Sequence, residues 1–425
     1  MKMPTFAGNQ RAIVFFISLW CIVFLVVWGK GYREHPFIAS GLPILPSRED
    51  VGQVADTHVP QKEGVGVQGI AFSEGLHPNA KIQVAVLLDV SNSMDGLIGQ
   101  AKAQLWNMVN LMGDVRCEGL QPQFELALYE YGRSNNEKDK GYVKQLHPFT
   151  TDLDAVSNTL FNLSTNGGEE YCPDVIVQCT DALAWDESPT AYKVIFIAGN
   201  ESFRQGPVSW TTACAKAMEK KIIVNTIYCG TRGEGLKEYW DLGAECGNGK
   251  FTIINQDGVI EDIATPYDSM LIALNERLNA TYVAYGTRGE EAAMMQAEVD
   301  KKNFGLSMAA GASRVEAKAR GSVYKNESWD LVDAMQTDSI AVMRLHKDAL
   351  PESMRNMSKD EIVAALAHKA KERGMVQKKI AEVSAKRNEY INRERQISPK
   401  GSPTLQTEME KIIREQVQSY NMKVQ

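Results

Sequence analysis

The segment with the clearest chemical potential is 89–93 (DVSNS), in which one carboxyl and two hydroxyl groups alternate with other residues. It follows the apolar run 82–88 (IQVAVLL), which is typical of a buried parallel strand. At a strand-to-helix turn, alternate side chains can face the same way, so we expect Asp89, Ser91 and Ser93 to converge on one point. Hard oxygen ligands of this kind suit Mg²⁺, Ca²⁺ or Mn²⁺. The spacing therefore predicts a divalent cation site.

Such a site would be short of negative charge. The protein would supply about one charge there, so a carboxylate from a partner protein could complete the coordination of the metal. The metal would then act as a docking point. The competing interpretation of the same segment is a helix N-terminus that Ser93 or Asp95 caps without any metal.

The elements that must position this segment form an alternating pattern. Further strands are predicted at 124–131, 193–198, 222–228 and 251–254. Predicted helices are 98–112, 213–218, 235–242 and a closing helix that ends near 278, with Pro266 in its first turn. Strands that alternate with helices indicate an α/β fold with a doubly wound, mostly parallel sheet. Ligands of such sheets bind outside the carboxyl ends of the strands, which is where Asp89 and Asn200 fall.

Residues 84–96 (VAVLLDVSNSMDG) resemble the metal-ion-dependent adhesion site of von Willebrand factor A domains. The resemblance covers roughly residues 80–283. The stretch IFIAGNESFRQGPVSW, followed by IIVNTIYCG, is similar to exported bacterial proteins with this domain. It implies a domain over 80–285 with bound Mg²⁺, or Ca²⁺ or Mn²⁺ in its place. It also implies that two further loops contribute ligands.

The second of these loops departs from the family pattern. The family offers a Thr to the metal, and the matching stretch here is 164–174 (STNGGEEYCPD). The position of the Thr falls near Tyr171 or Cys172, while Thr165 lies a few residues earlier and is chemically the best hydroxyl. Thr165 is therefore the expected ligand, with Cys172 as a possible supporting residue and an ordinary turn at Thr165 as the alternative.

The third loop follows KVIFIAG, where the family usually places an Asp. This chain has Asn200, which keeps an oxygen but loses the charge, followed by Glu201, which could compensate. The alternative is that Asn200 only shapes the loop. The adjacent Glu169 and Glu170 of the second loop are expected to be solvated, with contact to the metal or a partner as the second interpretation.

The N-terminal region predicts export. Residues 12–29 are apolar and uncharged between Arg11 and Lys30, which is long enough for a membrane anchor within residues 1–30. A cleaved signal peptide is the alternative. Residues 31–79 are rich in Pro and Gly and are expected to form a linker. We expect a single-pass protein of the bacterial inner membrane, with the bulk of the chain in the periplasm.

Residues 286–425 are expected to be an α-helical region that packs on the main domain or on a second copy. Ser358 begins a capping box, and Gly374 interrupts the helical pattern that follows, where it would either bend or split the helix. Ser328 is expected to cap a short helix in which Trp329 anchors the packing. Among the cysteines, an even number lies outside the apolar segment, which suits disulfides in an oxidising compartment. Two of them, Cys214 and Cys229, are expected to be plain buried thiols.

Several function classes lack support. The formal net charge is -7 and no basic run occurs, so nucleic-acid binding is not expected. The six histidines form no metallohydrolase pattern, and neither a nucleophile elbow nor a phosphate-binding loop is present. We therefore do not expect an enzyme. An accessory to a separate ATPase, of the chelatase kind, is a weaker hypothesis.

The preferred hypothesis is a membrane-anchored, cation-dependent module for protein–protein interaction that faces the periplasm. Its partner would be a protein that offers a carboxylate. The alternative is a structural or assembly protein of the cell envelope in which the metal site is vestigial. The sequence does not determine the oligomeric state.

Overall fold

The architecture is that of a three-layer α/β sandwich. A computed structural model describes residues 80–258, 263–397 and 403–425. The predicted anchor and linker, residues 1–30 and 31–79, lie outside these ranges. No helix in the described part of the chain combines the length and the apolar character needed to cross a membrane.

The central sheet has six strands in the order β4-β3-β1-β5-β6-β7. Only β4 is antiparallel to its neighbour. Because the chain moves outwards from β1 in both directions, the predicted doubly wound, mostly parallel sheet is confirmed. A short β2 lies outside this sheet and pairs with β8. The strands are β1 (Lys81–Asp89), β2 (Val115–Cys117), β3 (Gln123–Tyr131), β4 (Lys144–Thr150), β5 (Tyr192–Gly199), β6 (Ile223–Cys229), β7 (Phe251–Ile254) and β8 (Met422–Val424).

Helices cover both faces of the sheet. A 3₁₀ turn at Asn92–Met94 leads from β1 into the first helix. The helices are α1 (Asp95–Asp114), α2 (Leu153–Asn162), α3 (Cys172–Ala182), α4 (Trp210–Glu219), α5 (Arg232–Lys237), α6 (Trp240–Cys246), α7 (Asp268–Asn279), α8 (Gly289–Leu306), α9 (Met308–Ala319), α10 (Leu331–Thr337), α11 (Ser339–Met343), α12 (Lys359–Ile397) and α13 (Leu405–Gln416).

The apolar strands feed two separate cores because successive side chains point to opposite faces of the sheet. In β1, Val84, Val86 and Leu88 pack under α1, whereas Ala85 and Leu87 pack under α3 and α4. All five are buried. This explains why the central strands read as continuous apolar runs instead of alternating ones.

The C-terminal helices complete the first of these cores. Leu405, Met409 and Ile413 of α13 are buried in the same cluster as Leu105 and Val109 of α1. Several polar contacts fix the position of α13 against the main domain. Gln100 of α1 accepts a hydrogen bond from the backbone of α13 at Leu405 (2.9 Å), and Gln416 pairs with Asn225 of β6 (2.8 Å) and Tyr192 of β5 (2.8 Å). The expectation that the helical region packs on the main domain is therefore confirmed, and no second copy is needed for it.

A buried ion network lies between α2, α8 and α9. Arg314 of α9 donates a hydrogen bond to Asp154 of α2 (2.7 Å) and also contacts Asp300 of α8. Lys318, one turn further along α9, donates to Asp300 (2.7 Å). Arg314 and Lys318 are both fully buried, and the Arg314 guanidinium stacks 4.5 Å from the ring of Trp106. The two cations of the network thus meet two carboxylates.

Three expectations about helix ends are wrong. Pro266 precedes α7, which begins at Asp268, instead of lying in its first turn. Gly374 does not divide α12, which runs for 39 residues, because a long packed helix tolerates one glycine. The short helix near Trp329 is α10, capped by Asp330 and not by Ser328, whereas Trp329 itself is buried as expected. The capping box at Ser358 is confirmed by its hydrogen bonds with Glu361.

The cysteines behave partly as expected. Cys229 is a free buried thiol, as predicted. Cys214 instead forms a disulfide with Cys246, which joins α4 to α6. The prediction for Cys214 was wrong because its apolar neighbours in sequence do not reveal which element lies beside it in space.

Candidate metal centre

Asp89 is the last residue of β1 and is fully buried at the carboxyl edge of the sheet. Its Oδ1 accepts a hydrogen bond from the backbone N–H of Ser91 (2.8 Å). Its Oδ2 is buried, and no hydrogen-bond donor of good geometry reaches it within the described residues. Burial raises the pKa of Asp89 to about 7, against the opposing hydrogen bonds of Ser91 and of the Asn200 backbone N–H. Within the described residues, no cationic side chain neutralises the charge of this buried carboxylate.

Two hydroxyls lie beside this carboxylate, as predicted. The Oγ atoms of Ser91 and Ser93 are 3.3 Å apart, with Ser91 buried and Ser93 exposed. The amide of Asn200, which follows β5, donates to Ser93 Oγ (3.2 Å). Asp89, Ser91, Ser93 and Asn200 are thus brought together where β1 and β5 end.

Two glycines leave room around the carboxylate. A β carbon at Gly199 would lie 3.0 Å from Asp89 Oδ2, and one at Gly132 would lie 2.9 Å from Oδ1. Gly132 also has a φ of 83°, in the region that side chains rarely adopt. A larger residue at either position would crowd the oxygens of Asp89.

Glu170 is the site residue that the sequence interpretation placed wrongly. Glu169 is exposed as expected, but Glu170 is buried with 7% of its surface accessible. A β carbon at Gly132 would lie 2.8 Å from Glu170 Cγ and 2.9 Å from Asp89 Oδ1, so both side chains lie against this glycine. Burial first, and then the charge of Asp89, raise the pKa of Glu170 to about 8. A second carboxyl group therefore faces Asp89.

The backbone of the second loop explains how Glu170 arrives there. The N–H of Asn166 donates to the carbonyl of Val90 (2.9 Å), and the N–H of Ser134 donates to the carbonyl of Gly167 (2.9 Å). The loop therefore lies across the ends of β1 and β3. In the sequence, the Gly167-Gly168 pair indicates this path of the loop, because glycines permit such a close approach of two backbones.

The other candidates of the second loop make contacts of their own. The hydroxyl of Thr165 donates to Asp95 (2.6 Å) at the start of α1. Tyr171 packs edge-on against Tyr142. Cys172 is buried, and its Sγ lies 3.6 Å from the hydroxyl of Tyr131. Of the family's expected positions in this loop, none places a hydroxyl among the oxygens of Ser91 and Ser93 in the contacts described.

Glu201 lies at the exposed rim of the site. Its charge contributes to the raised pKa of both Asp89 and Glu170. Its backbone carbonyl accepts a hydrogen bond from the indole N–H of Trp240 (2.7 Å), which fixes the loop after β5. Glu201 is therefore close enough to act on the site electrostatically, while its side chain stays in solvent.

The chemistry of this donor set fits a hard divalent cation. Across residues 80–258, 263–397 and 403–425, no group of three or more His, Cys, Asp or Glu is arranged to hold a metal. The site is instead built from carboxylate, hydroxyl and amide oxygens, which are ligands that Mg²⁺, Ca²⁺ and Mn²⁺ accept. The buried, unpartnered Oδ2 of Asp89 is the atom that such an ion would satisfy.

Comparison with known proteins finds similarity only at the level of structure. No family model and no curated protein sequence matches this chain. Proximal thread matrix protein 1 of the mussel byssus aligns over 42% of this chain at 12% identity and a TM-score of 0.31. This chain spans only 43% of that protein.

Two further solved structures are similar over most of their own length. The SpRpn10 VWA domain aligns over 41% of this chain and 88% of its own, at 14% identity and a TM-score of 0.29. The conserved hypothetical protein BatB from Bacteroides thetaiotaomicron aligns over 52% of this chain and 99% of its own, at 12% identity and a TM-score of 0.31. A von Willebrand factor A domain is thus among the structures to which this chain is similar.

Proposed function

We propose that this chain is a cation-dependent module for protein–protein interaction. The observation that carries the proposal is the carboxylate of Asp89, buried and unpartnered at Oδ2, beside a hydroxyl that is open to solvent at Ser93. A buried carboxylate without a positive partner is costly, and a bound cation would offset that cost. The exposed side of the site leaves room for a ligand from another protein.

The residues would divide the work as follows. Asp89, Ser91 and Ser93 would hold Mg²⁺, Ca²⁺ or Mn²⁺, with Asn200 at the rim. When bound, the cation would supply a coordination position for a carboxylate of the partner. Glu170, which its raised pKa of about 8 keeps largely protonated at neutral pH, would lose its proton when the cation binds and then add a second negative charge that the family resemblance alone did not imply.

The proposal is tested by thermal melting of the full chain in detergent, with Mg²⁺ or with EDTA. At a free concentration of about 100 times the dissociation constant, Mg²⁺ should stabilise the wild type by about 2.7 kcal/mol. Asp89→Asn should abolish this gain, and it should make the protein more stable in EDTA because it removes an unpaired buried charge. A wild-type protein whose melting temperature ignores millimolar Mg²⁺, Ca²⁺ and Mn²⁺ would overturn the proposal.

We also propose that residues 1–30 anchor the chain in a bacterial inner membrane, with the remainder in the periplasm. The disulfide between Cys214 and Cys246 supports an oxidising compartment. Protease added to intact spheroplasts should digest the protein if this is correct. Protection of the full-length chain under those conditions would contradict it.

The alternative function is a structural or assembly protein of the envelope in which the site no longer binds metal. Asn200, in place of the Asp that the family resemblance implies, is the observation that favours it. The melting experiment distinguishes the two, because a vestigial site gives no response to cations in the wild type.

A further inference from the structure

The corner between α5 and α6 has an unusual backbone. Tyr239 separates the two helices, where a single helix over 235–242 was expected, and its φ of 65° and ψ of 24° are left-handed. A side chain carries a steric cost in this conformation, whereas glycine adopts it freely. Five other non-glycine residues of the described chain also have a positive φ, so a binding role for Tyr239 rests on what surrounds its side chain and not on its backbone alone. The Tyr239 side chain is also 36% exposed.

An arginine covers this tyrosine. The guanidinium of Arg204 lies 4.7 Å from the centre of the Tyr239 ring. Arg204 is exposed, and within the described chain it makes no ion pair with an acidic side chain. Leu236, an exposed apolar residue, lies one helical turn before Tyr239. We refer to Arg204, Leu236 and Tyr239 as the Arg–Tyr platform.

The Arg–Tyr platform is tied to the rim of the candidate metal centre. The N–H of Phe203 donates to the carbonyl of Glu238 (2.9 Å), next to Tyr239. The indole of Trp240 donates to the carbonyl of Glu201 (2.7 Å), next to Asn200. One loop therefore carries Asn200 at one end and Arg204 at the other, and both ends are held.

The helices that follow are held as well. The disulfide from Cys214 to Cys246 joins α4, which follows the loop of Arg204, to α6, which follows Tyr239. The rings of Phe203 and Trp240 pack edge-on between them, 5.3 Å apart. A surface fixed before binding loses little conformational entropy when a ligand arrives.

We propose that the Arg–Tyr platform is a second docking point for an acidic segment of the partner protein. One carboxylate of that segment would bind the cation at Asp89, and a second would pair with Arg204 above the Tyr239 ring. The unpaired charge of Arg204 is complementary to a carboxylate. Arginine and tyrosine are also the residue types that dominate binding energy at interfaces. This inference rests on the proposed cation-dependent function.

The experiment uses a displayed library of random linear peptides, selected on the immobilised full chain in Mg²⁺ and in EDTA. The wild type in Mg²⁺ should enrich peptides that carry two acidic residues a few positions apart. Synthetic copies of these peptides should bind Arg204→Ala and Tyr239→Asn at least tenfold more weakly. Replacement of the second acidic residue of the peptide should cost the wild type the same factor and cost Arg204→Ala nothing.

Two controls make the result decisive. Asn tolerates the left-handed conformation, so Tyr239→Asn should melt no lower than the wild type, and its loss of binding then reports the ring. Arg232→Ala removes another arginine that stacks on an aromatic ring, that of Phe251, and should bind the peptides normally. Peptides that need Mg²⁺ but bind Arg204→Ala and Tyr239→Asn normally would overturn the platform and leave the proposed function intact. Failure to enrich any peptide that needs a cation would overturn the proposed function, and the platform with it.

Discussion

Among the acidic side chains buried in the described ranges, two pairs have opposite surroundings. Asp154 and Asp300 meet two basic side chains of α9, at Arg314 and Lys318. In the other pair, the carboxyl groups of Asp89 and Glu170 face each other at the edge of the sheet. Neither residue forms an ion pair within the described ranges. The first pair is a closed network, and the second pair is open to solvent at Ser93.

The pKa values show the consequence. Burial alone would raise the pKa of Asp300, but Arg314 and Lys318 outweigh burial and hold it well below its usual range. Burial of Asp89 and Glu170 meets no such opposition, and their pKa values rise to about 7 and about 8. A carboxyl pair of the second kind is what a cation from solution can neutralise, whereas the first pair already contains its cations.

The largest expected difference between the two pairs comes from removing a cationic side chain from the closed network. Arg314→Met leaves Asp154 and Asp300 with only Lys318, and we expect a loss of about 3–5 kcal/mol in the free energy of unfolding. Urea denaturation at equilibrium measures this. The matched control is Arg393→Met, which removes an exposed partner of Glu389 and should cost less than about 0.5 kcal/mol. Equal losses in the two variants would show that the network adds no stability.

The pH dependence of the free energy of unfolding tests the raised pKa values of the open pair. The pKa values of Asp89 and Glu170 rise from 3.8 and 4.5 to about 7 and about 8 on folding, so the folded chain keeps protons that the unfolded chain has lost. The free energy of unfolding in EDTA should therefore fall as pH rises from about 4 to about 8, by about 2 kcal/mol because solvent screens part of the effect.

The reference for this titration is the double variant Asp89→Asn/Glu170→Gln. Subtracting its curve removes other titrating groups, including His147. Saturating Mg²⁺ should flatten the difference between the two proteins near neutral pH. A difference curve that rises with pH in EDTA would contradict the raised pKa values.

The smallest expected effect comes from adding a charge to the open pair. Asn200→Asp places a third carboxylate near Ser93 and should tighten Mg²⁺ binding about tenfold, or 1.4 kcal/mol. Isothermal titration calorimetry measures the dissociation constant. Asn200→Ser serves as the uncharged control. An unchanged affinity in Asn200→Asp would indicate that residue 200 only shapes the loop.

Much of the sheet was predictable because its strands are buried on both faces. The continuous apolar runs located β1, β3, β5, β6 and β7 to within a residue or two at each end. The antiparallel β4 was missed, since its segment KQLHPFT lies at the sheet edge and alternates little. A strand that is buried on both faces can be recognised in a sequence by its continuous apolar run, whereas an edge strand such as β4 has no comparable pattern.

The site was predictable where its residues directly follow a buried strand, which includes Asn200 after β5. Asp89, Ser91 and Ser93 follow one strand, so their spacing indicated their convergence. Glu170 reaches them from a loop whose path depends on backbone hydrogen bonds at Val90 and Gly167, which no local pattern encodes. The sequence interpretation therefore erred in the second loop, at Glu170.

The pairing of β2 with β8 has a consequence for how the chain is made. The ladder between β2 and β8 forms only when residues 422–424 are present, and the apolar residues of α1 that pack on α13 are covered only once α13 has formed. Contacts of such high sequence separation form slowly. Until residues 405–424 have been synthesised, the part of the first core that α13 covers stays exposed, which brings a risk of aggregation. Under the proposed export, the first core can close only after α13 has reached the same compartment as α1.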